Sequence, residues 1–210
     1  MTSSTIDANL RDVLQDAAQW QLLGLLLECP VSGWTEQLGS LAKEVDDDSL
    51  QQAAELANKE SSEGLYHTVF GPGGPAPPRE VSYRDTLHPG RFLAEIGDAY
   101  QAFAYTPSNR ETPDHIATEC GFIAYLRLKE AYALARGQLE QANVCRTGAE
   151  QFVEEHLSLS AQALAELLGG SGVAYLALAG EALLQRVGPP RKVEAPAVLP
   201  DILEDECACG

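Results

Sequence analysis

An all-α fold is what this sequence predicts, and three observations carry the prediction. Apolar residues recur at spacings of three and four through nearly every ordered-looking segment, and no run alternates apolar with polar residues in the manner of a strand. Glycine and proline gather into a few breaks between those segments. With 210 residues, 45% of them hydrophobic, the chain is long enough for one sizeable core. Residues 1–187 therefore read as a single helical domain, a bundle, and 188–210 as a separate tail.

The first helix is expected over about 6–28, where Leu10, Val13, Leu14, Ala17 and Trp20 form a stripe and "LLGLLL" at 22–27 buries most of the circumference. Pro30 and Gly33 stop it. A second helix fits 34–45 with Leu38 and Leu41 inward, and Asp48 or Ser49 caps a third across "LQQAAELANKE". "GPGGPAPP" at 71–78 forbids a regular helix, and "REVSYRDTLHPG" prolongs the loop until Arg91 opens "RFLAEIGDAYQAFAY". A connection of roughly twenty residues inside a compact domain is unusual, and such loops are often functional.

The longest helix is expected over 113–136, with Thr112 as N-cap and Pro113 at the first helical position, where a missing N–H costs nothing. Ile116, Cys120, Ile123 and Leu126 make one face, widened by Phe122, Tyr125 and Tyr132, and Gly137 ends it. Helices at about 139–155, 159–168 and 173–187 follow, separated by "SLS" and "GGSG". After Gly188 the sequence turns to "PPRKVEAPAVLPDILEDECACG", too rich in proline and acid to bury a core, which predicts an extended, flexible tail.

Fourteen Lys and Arg against 31 Asp and Glu give a formal charge of −17. Such a surface repels nucleic-acid phosphates and anionic lipids and steers cationic partners toward it. The N-terminus, "MTSSTIDANLRDVLQ", lacks the order of cationic then apolar residues of a secretory signal, and the longest apolar runs, such as "VAYLALA" at 173–179, fall far short of the ~20 residues that span a bilayer. A cytoplasmic protein without membrane insertion is the expectation. Five scattered cysteines (Cys29, Cys120, Cys145, Cys207 and Cys209) then read as reduced thiols.

The candidate chemistry is concentrated in "ETPDHIATECGFIAYL" at 111–126, where Glu111, Asp114, His115 and Glu119 crowd the start of the longest helix. His115 and Glu119 are four apart and share a helical face, so they can pair or offer two metal ligands. A catalytic zinc site needs about three protein ligands, and His67, His88 and His156 show no spacing that nominates one. Acidic groups in a first helical turn complement the helix dipole, each by roughly 0.3–1 kcal/mol, so the residues alone favour a cap over a metal site. "GPGG" lacks the Gly-Lys-Ser/Thr ending of a phosphate loop. Tyr66, Phe70 and Tyr83 fit either core packing or the wall of a peptide groove. Cys207 and Cys209 offer two thiolates on a tail, a weak metal site by themselves.

The order "LYHTVFG" (65–71), a Pro/Gly loop, "PPREVSYRD" (77–85) and "ETPDHIATECGFIAYLRLKEAYA" (111–133) resembles the TorD/DmsD/NarJ family of cytoplasmic molybdoenzyme-maturation chaperones, over about residues 10–187. The chain departs from the common pattern at Arg79, where many relatives carry an aromatic, at Val-Ser-Tyr in place of Ser-Val-Tyr, and at Cys120 in place of leucine. The resemblance implies a TorD-like helical domain, without enzymatic activity or cofactor, that binds the twin-arginine signal peptide of a molybdopterin oxidoreductase's apo catalytic subunit. It implies help with cofactor insertion, restraint of premature export, and a monomer or weak dimer. "HPGRFLAEIGDAYQAFAY" and "GFIAYLRLKEAYA" are most similar to accessory proteins of nitrate, selenate, perchlorate and dimethyl sulfide dehydrogenase-like enzymes.

Carried onto this chain, the family's functional region matches Pro113, Asp114, His115 and the 77–83 stretch, and the residues expected to bind the client peptide are Tyr66, Phe70, Pro78, Glu80, Tyr83, Glu111, Pro113, Asp114, His115 and Glu119. Glu111 and Asp114 would face the basic part of the peptide, His115 would orient the loop, and Tyr66, Phe70 and Tyr83 would line the apolar part. A twin-arginine signal joins a cationic to an apolar segment, and a −17 chain with an aromatic-edged loop complements both. The competing readings are a metal-dependent hydrolase built on Asp114, His115 and Glu119, and a permanent subunit of the mature oxidoreductase.

Overall fold

The computed structural model of the chain describes residues 3–85 and 88–188. The Cys207 and Cys209 thiolates and the expected tail lie outside the described residues. Helices α1 (Ser3–Leu26), α2 (Trp34–Ala42), α3 (Asp48–Glu60), α4 (Glu63–Phe70), α5 (Pro89–Ala102), α6 (Ile116–Ala135), α7 (Leu139–Phe152), α8 (Ser158–Gly169) and α9 (Ala174–Val187) follow one another; all but α4 fall on segments where the periodicity predicts a helix.

The most extensive packing is α1 on α6, with α7 on the other flank of α6 and α9 between α8 and α3. Leu22, Leu23 and Leu26 from α1, and Leu27 just after it, meet Phe122, Ile123 and Leu126 from α6 in one continuous core, which Tyr175 and Leu176 close from α9. Each such side chain, fully buried, contributes about 1.5–3 kcal/mol. Gly24 lets the two central helices approach, because a Cβ there would lie 3.1 Å from the Ala117 carbonyl oxygen and 3.3 Å from the Cys120 Cβ. Cys120 and Cys145 are buried free thiols, and Cys29 is partly exposed. No described helix is long and apolar enough to cross a membrane.

Several local expectations are corrected. The third helix is capped by Asp47, whose carboxylate accepts the Leu50 N–H at 3.0 Å and the Ser49 hydroxyl at 2.5 Å, not by Asp48 or Ser49. "SLS" does not divide two helices: α7 runs through a π-helical turn, Val153–Leu157, directly into α8. Leu14 and Tyr132, expected to face inward, are exposed at 43% and 61%.

The long connection after α4 is tied down over most of its length. The Ala76 N–H returns to the Val69 carbonyl at 3.1 Å, a 3-10 turn forms at Glu80–Tyr83, and α5 starts at Pro89, earlier than expected. The long helix starts at Ile116, three residues later than Thr112 and Pro113 predict. The reason is tertiary. Ile116 N–H donates to the Pro78 carbonyl at 2.9 Å and Glu80 N–H to the Asp114 carbonyl at 2.8 Å, so 114–115 is held extended in an antiparallel bridge with 79. Two backbone hydrogen bonds to the strap 77–83 outweigh most of one more turn of helix.

The close approach at Gly24 is testable. Gly24→Leu overpacks the α1–α6 seam at a cost of about 1–3 kcal/mol, a fall in Tm of roughly 3–10 °C for a chain of this size. An unchanged Tm by calorimetry would mean that the two helices are not held this closely.

Candidate functional site

The strap crosses the start of α6, and three buried polar contacts pin it there. The first centres on Asp114, which is wholly buried. Its Oδ1 and Oδ2 lie 3.0 and 3.2 Å from Arg79 Nε, and Oδ2 also accepts the Val81 N–H at 3.4 Å. Arg79 therefore neutralises a carboxylate that would otherwise be stranded out of water, and that carboxylate in turn orders the strap backbone. Removing one partner of a buried pair is what costs most, since it leaves the other charge uncompensated.

The second contact is made by His115, which caps α6 through its ring. Nδ1 accepts the Ala117 N–H at 3.1 Å, so the proton of the neutral imidazole sits on Nε2, which meets the Tyr66 hydroxyl at 2.9 Å. Burial pushes the His115 pKa down to about 4, with Asp114 opposing and Arg79 reinforcing the shift. Glu111 stands 3.9 Å from Nε2 and is partly exposed. Tyr66 rests on Phe70 with ring centroids 4.9 Å apart, and burial raises its phenol pKa, so it stays a neutral donor and acceptor.

The third contact lies under the strap. Glu80 is buried, paired with Arg84, and its Oε2 is 3.0 Å from His156 Nδ1. His156 belongs to the π-helical turn and stacks on Phe152, with centroids 4.4 Å apart. Glu119 points into the same space. It is fully buried, and neither carboxylate oxygen has a hydrogen-bond partner. Burial raises its pKa well above the usual carboxylate range, and the facing Glu80 carboxylate raises it further. Once neutral, the Glu119 carboxyl can donate to the Glu80 carboxylate that faces it.

The structure thus brings together most of the residues named from the sequence and buries more than half of them. Tyr66, Phe70, Glu80, Asp114, His115 and Glu119 are all buried, so in this conformation they support a surface instead of forming it. Pro78 and Pro113 contribute backbone: the Pro78 carbonyl accepts Ile116 N–H, and the Pro113 carbonyl accepts the Tyr100 hydroxyl at 2.8 Å. Tyr83 is half-buried and donates to the Pro77 carbonyl at 2.6 Å. A metal triad of Asp114, His115 and Glu119 does not form, because Asp114 is held by Arg79, both His115 nitrogens are engaged, and Glu119 faces Glu80 and His156. Arg79, Arg84, Tyr100 and His156 were not singled out as site residues. Only Glu119 carries a usable signal for its burial, since it shares the helical face of Ile116 and Ile123.

A groove opens on the other side of α6. About 470 Å³ in volume, it runs between α1 and α6 with a small-residue floor that includes Ala17, Gly24, Ala117, Gly121 and Ala124. Leu14 and Leu128 flank it, and Glu28 and Glu44 stand at its edge. Burial and the nearby Glu111 raise the Glu28 pKa, which places the Glu111 charge at the same end of the groove.

The scaffold is all-helical, Asp114, His115 and Glu80 are engaged in holding its own chain, and an apolar groove lies beside them. The profile of the nitrate reductase delta subunit family matches residues 33–166, and the chain belongs to that family of NarJ/TorD-type molybdoenzyme-maturation chaperones. Its members are accessory proteins that partner a molybdoenzyme catalytic subunit, and the general chaperone role of this chain follows. No curated protein and no solved structure matches the chain significantly.

The buried imidazole predicts a pH dependence of stability. The unfolded chain takes up a proton near pH 6.5 and the folded His115 only near 4, so the stabilisation is complete above pH 6.5 and is lost as pH falls toward 4. His115→Asn keeps a capping oxygen but does not titrate. Between pH 7 and 4.5 the wild type should lose about 2–3 kcal/mol more than this variant in urea unfolding. Parallel losses would show that the ring is solvated or already charged.

Proposed function

We propose that the protein is a system-specific chaperone that binds the N-terminal twin-arginine signal segment of a molybdopterin oxidoreductase's apo catalytic subunit, and holds it there in the cytoplasm. The observation that carries this reading is the α1–α6 groove. Its apolar floor of alanine and glycine suits the side chains of an apolar peptide segment, and Glu28, Glu44 and Glu111 set negative charge where the flanking arginines would lie. The net charge of −17 adds long-range attraction for the cationic end.

Within this reading the buried strap residues position the start of α6, and with it one wall of the groove, while Pro78, Tyr83, Glu111 and Pro113 remain accessible to the client at its end. Charge chiefly sets the association rate, and apolar contact sets the residence time. Occupying the signal segment keeps the subunit from the export machinery until its cofactor is inserted. The client is of the nitrate, selenate, perchlorate or dimethyl sulfide dehydrogenase-like type, and the chaperone acts as a monomer or weak dimer.

Titration with a peptide carrying two adjacent arginines followed by an apolar segment tests the assignment. Glu28→Lys/Glu44→Lys should slow association at least about tenfold at low salt and flatten its salt dependence. Ala18→Trp, which fills the groove from its α1 side, should shorten the residence time. Wild type that does not bind the peptide, or variants that bind it as wild type does, would remove the groove from the account.

A further inference from the structure

The buried cluster beneath the strap has a feature that strap-holding does not explain. Glu80, Glu119 and His156 come from three separate elements, the 3-10 turn, α6 and the π-helical turn, and each offers one ligand atom within 4.8 Å of the other two. All three are buried. Glu119 is the unexplained member, a fully buried carboxyl whose two oxygens have no hydrogen-bond partner although they face a carboxylate and an imidazole. An unpaired buried carboxylate is among the most costly groups a core can hold, so this one requires either a proton or a cation.

We propose that Glu80, Glu119 and His156 form a binding site for a first-row divalent transition-metal ion such as Mn²⁺, Fe²⁺ or Zn²⁺. Two carboxylate oxygens and one imidazole nitrogen are the donor set such ions accept, and it suits neither a soft monovalent metal nor an all-oxygen calcium site. Donor atoms bonded at about 2.0–2.2 Å to one ion lie at most about 4.4 Å from each other. The observed separations therefore need only a small rotation of the two glutamate side chains to close.

Two further features support a site over a chance cluster. His156 is delivered by a π-helical turn, an insertion that disrupts the regular helix and occurs frequently at functional positions. Stacking on Phe152 fixes the plane of the ring while Nδ1 points at Glu80. A cavity of about 350 Å³ is lined by His156 and Arg84, with Glu95 and Glu155 also on its walls, so it comes to one of the three ligands; Glu80 and Glu119 do not line it.

Arg84 stands where an ion would enter. Its guanidinium pairs with Glu80 but also donates to the Glu155 carbonyl and lies over the Phe92 ring, with 4.6 Å from Cζ to the centroid. It has outer partners to retain when an ion takes its place at Glu80. The ion ties the strap to α6 and α7–α8 together. This inference does not rest on client binding, and metal can be read without any client.

The experiment is metal analysis of the full chain, purified without chelator, followed by chelation and calorimetric titration of the apoprotein with Mn²⁺ and separately with Zn²⁺. One equivalent should bind, with a rise in Tm. Glu119→Gln, which preserves the shape of the neutral side chain, and His156→Gln should each weaken binding by at least about 100-fold while circular dichroism stays helical. A Cys207→Ser/Cys209→Ser variant should bind as wild type does. Absence of binding at millimolar metal, or binding that survives Glu119→Gln and is lost with the two cysteines, would overturn the proposal and leave Glu119 as a buried neutral acid.

Discussion

The pairing of the strap with the two residues before α6 is the constraint on which the rest depends. Glu80 N–H and Ile116 N–H exchange hydrogen bonds with the Asp114 and Pro78 carbonyls, and the buried Asp114 carboxylate meets Arg79 from the strap side. Once 114–115 is extended, His115 falls at the N-cap and its ring is drawn inward to Tyr66. Glu119, one turn on, is carried under the strap toward Glu80. The position of α6 follows, and α6 is the helix against which both α1 and α7 are built.

This explains why the acidic motif is dense in sequence yet lies inside the fold. Asp114, His115 and Glu119 are turned to different internal partners, so a motif that suggests a reaction centre is consumed by architecture. The open chemistry lies elsewhere, in an apolar groove with acidic edges on the α1 side of α6. A chaperone has to bind a peptide without altering it, and a rigid helix face with charge at its ends can do that. The buried polar cluster contributes by fixing where that face stands.

Most of the fold was legible because its cause is local. Apolar residues at spacings of three and four name the helices, and the Leu22–Leu27 run names the buried centre. What could not be read depends on residues distant in sequence. Thr112 and Pro113 are good starts for a helix by their own chemistry, and only the hydrogen bonds from Pro78 and Glu80 explain why the helix begins at Ile116. His156 has no neighbour in sequence that announces a partner, and it reaches Glu80 only through the turn that inserts a residue into the helix. The density of the motif was legible in the sequence, while the direction in which its side chains point was set by tertiary contacts.

The central claim is that the strap and the acidic motif hold the groove wall and that the client lies in the groove. Hydrogen–deuterium exchange of the full chain with and without a twin-arginine peptide measures this directly. The account predicts new protection along α1 at 14–28 and along α6 at 121–128, with Glu80 and Ile116 amides slow in both states because they are already bonded. New protection confined to 77–84 and 111–116, with α1 unchanged, would contradict it.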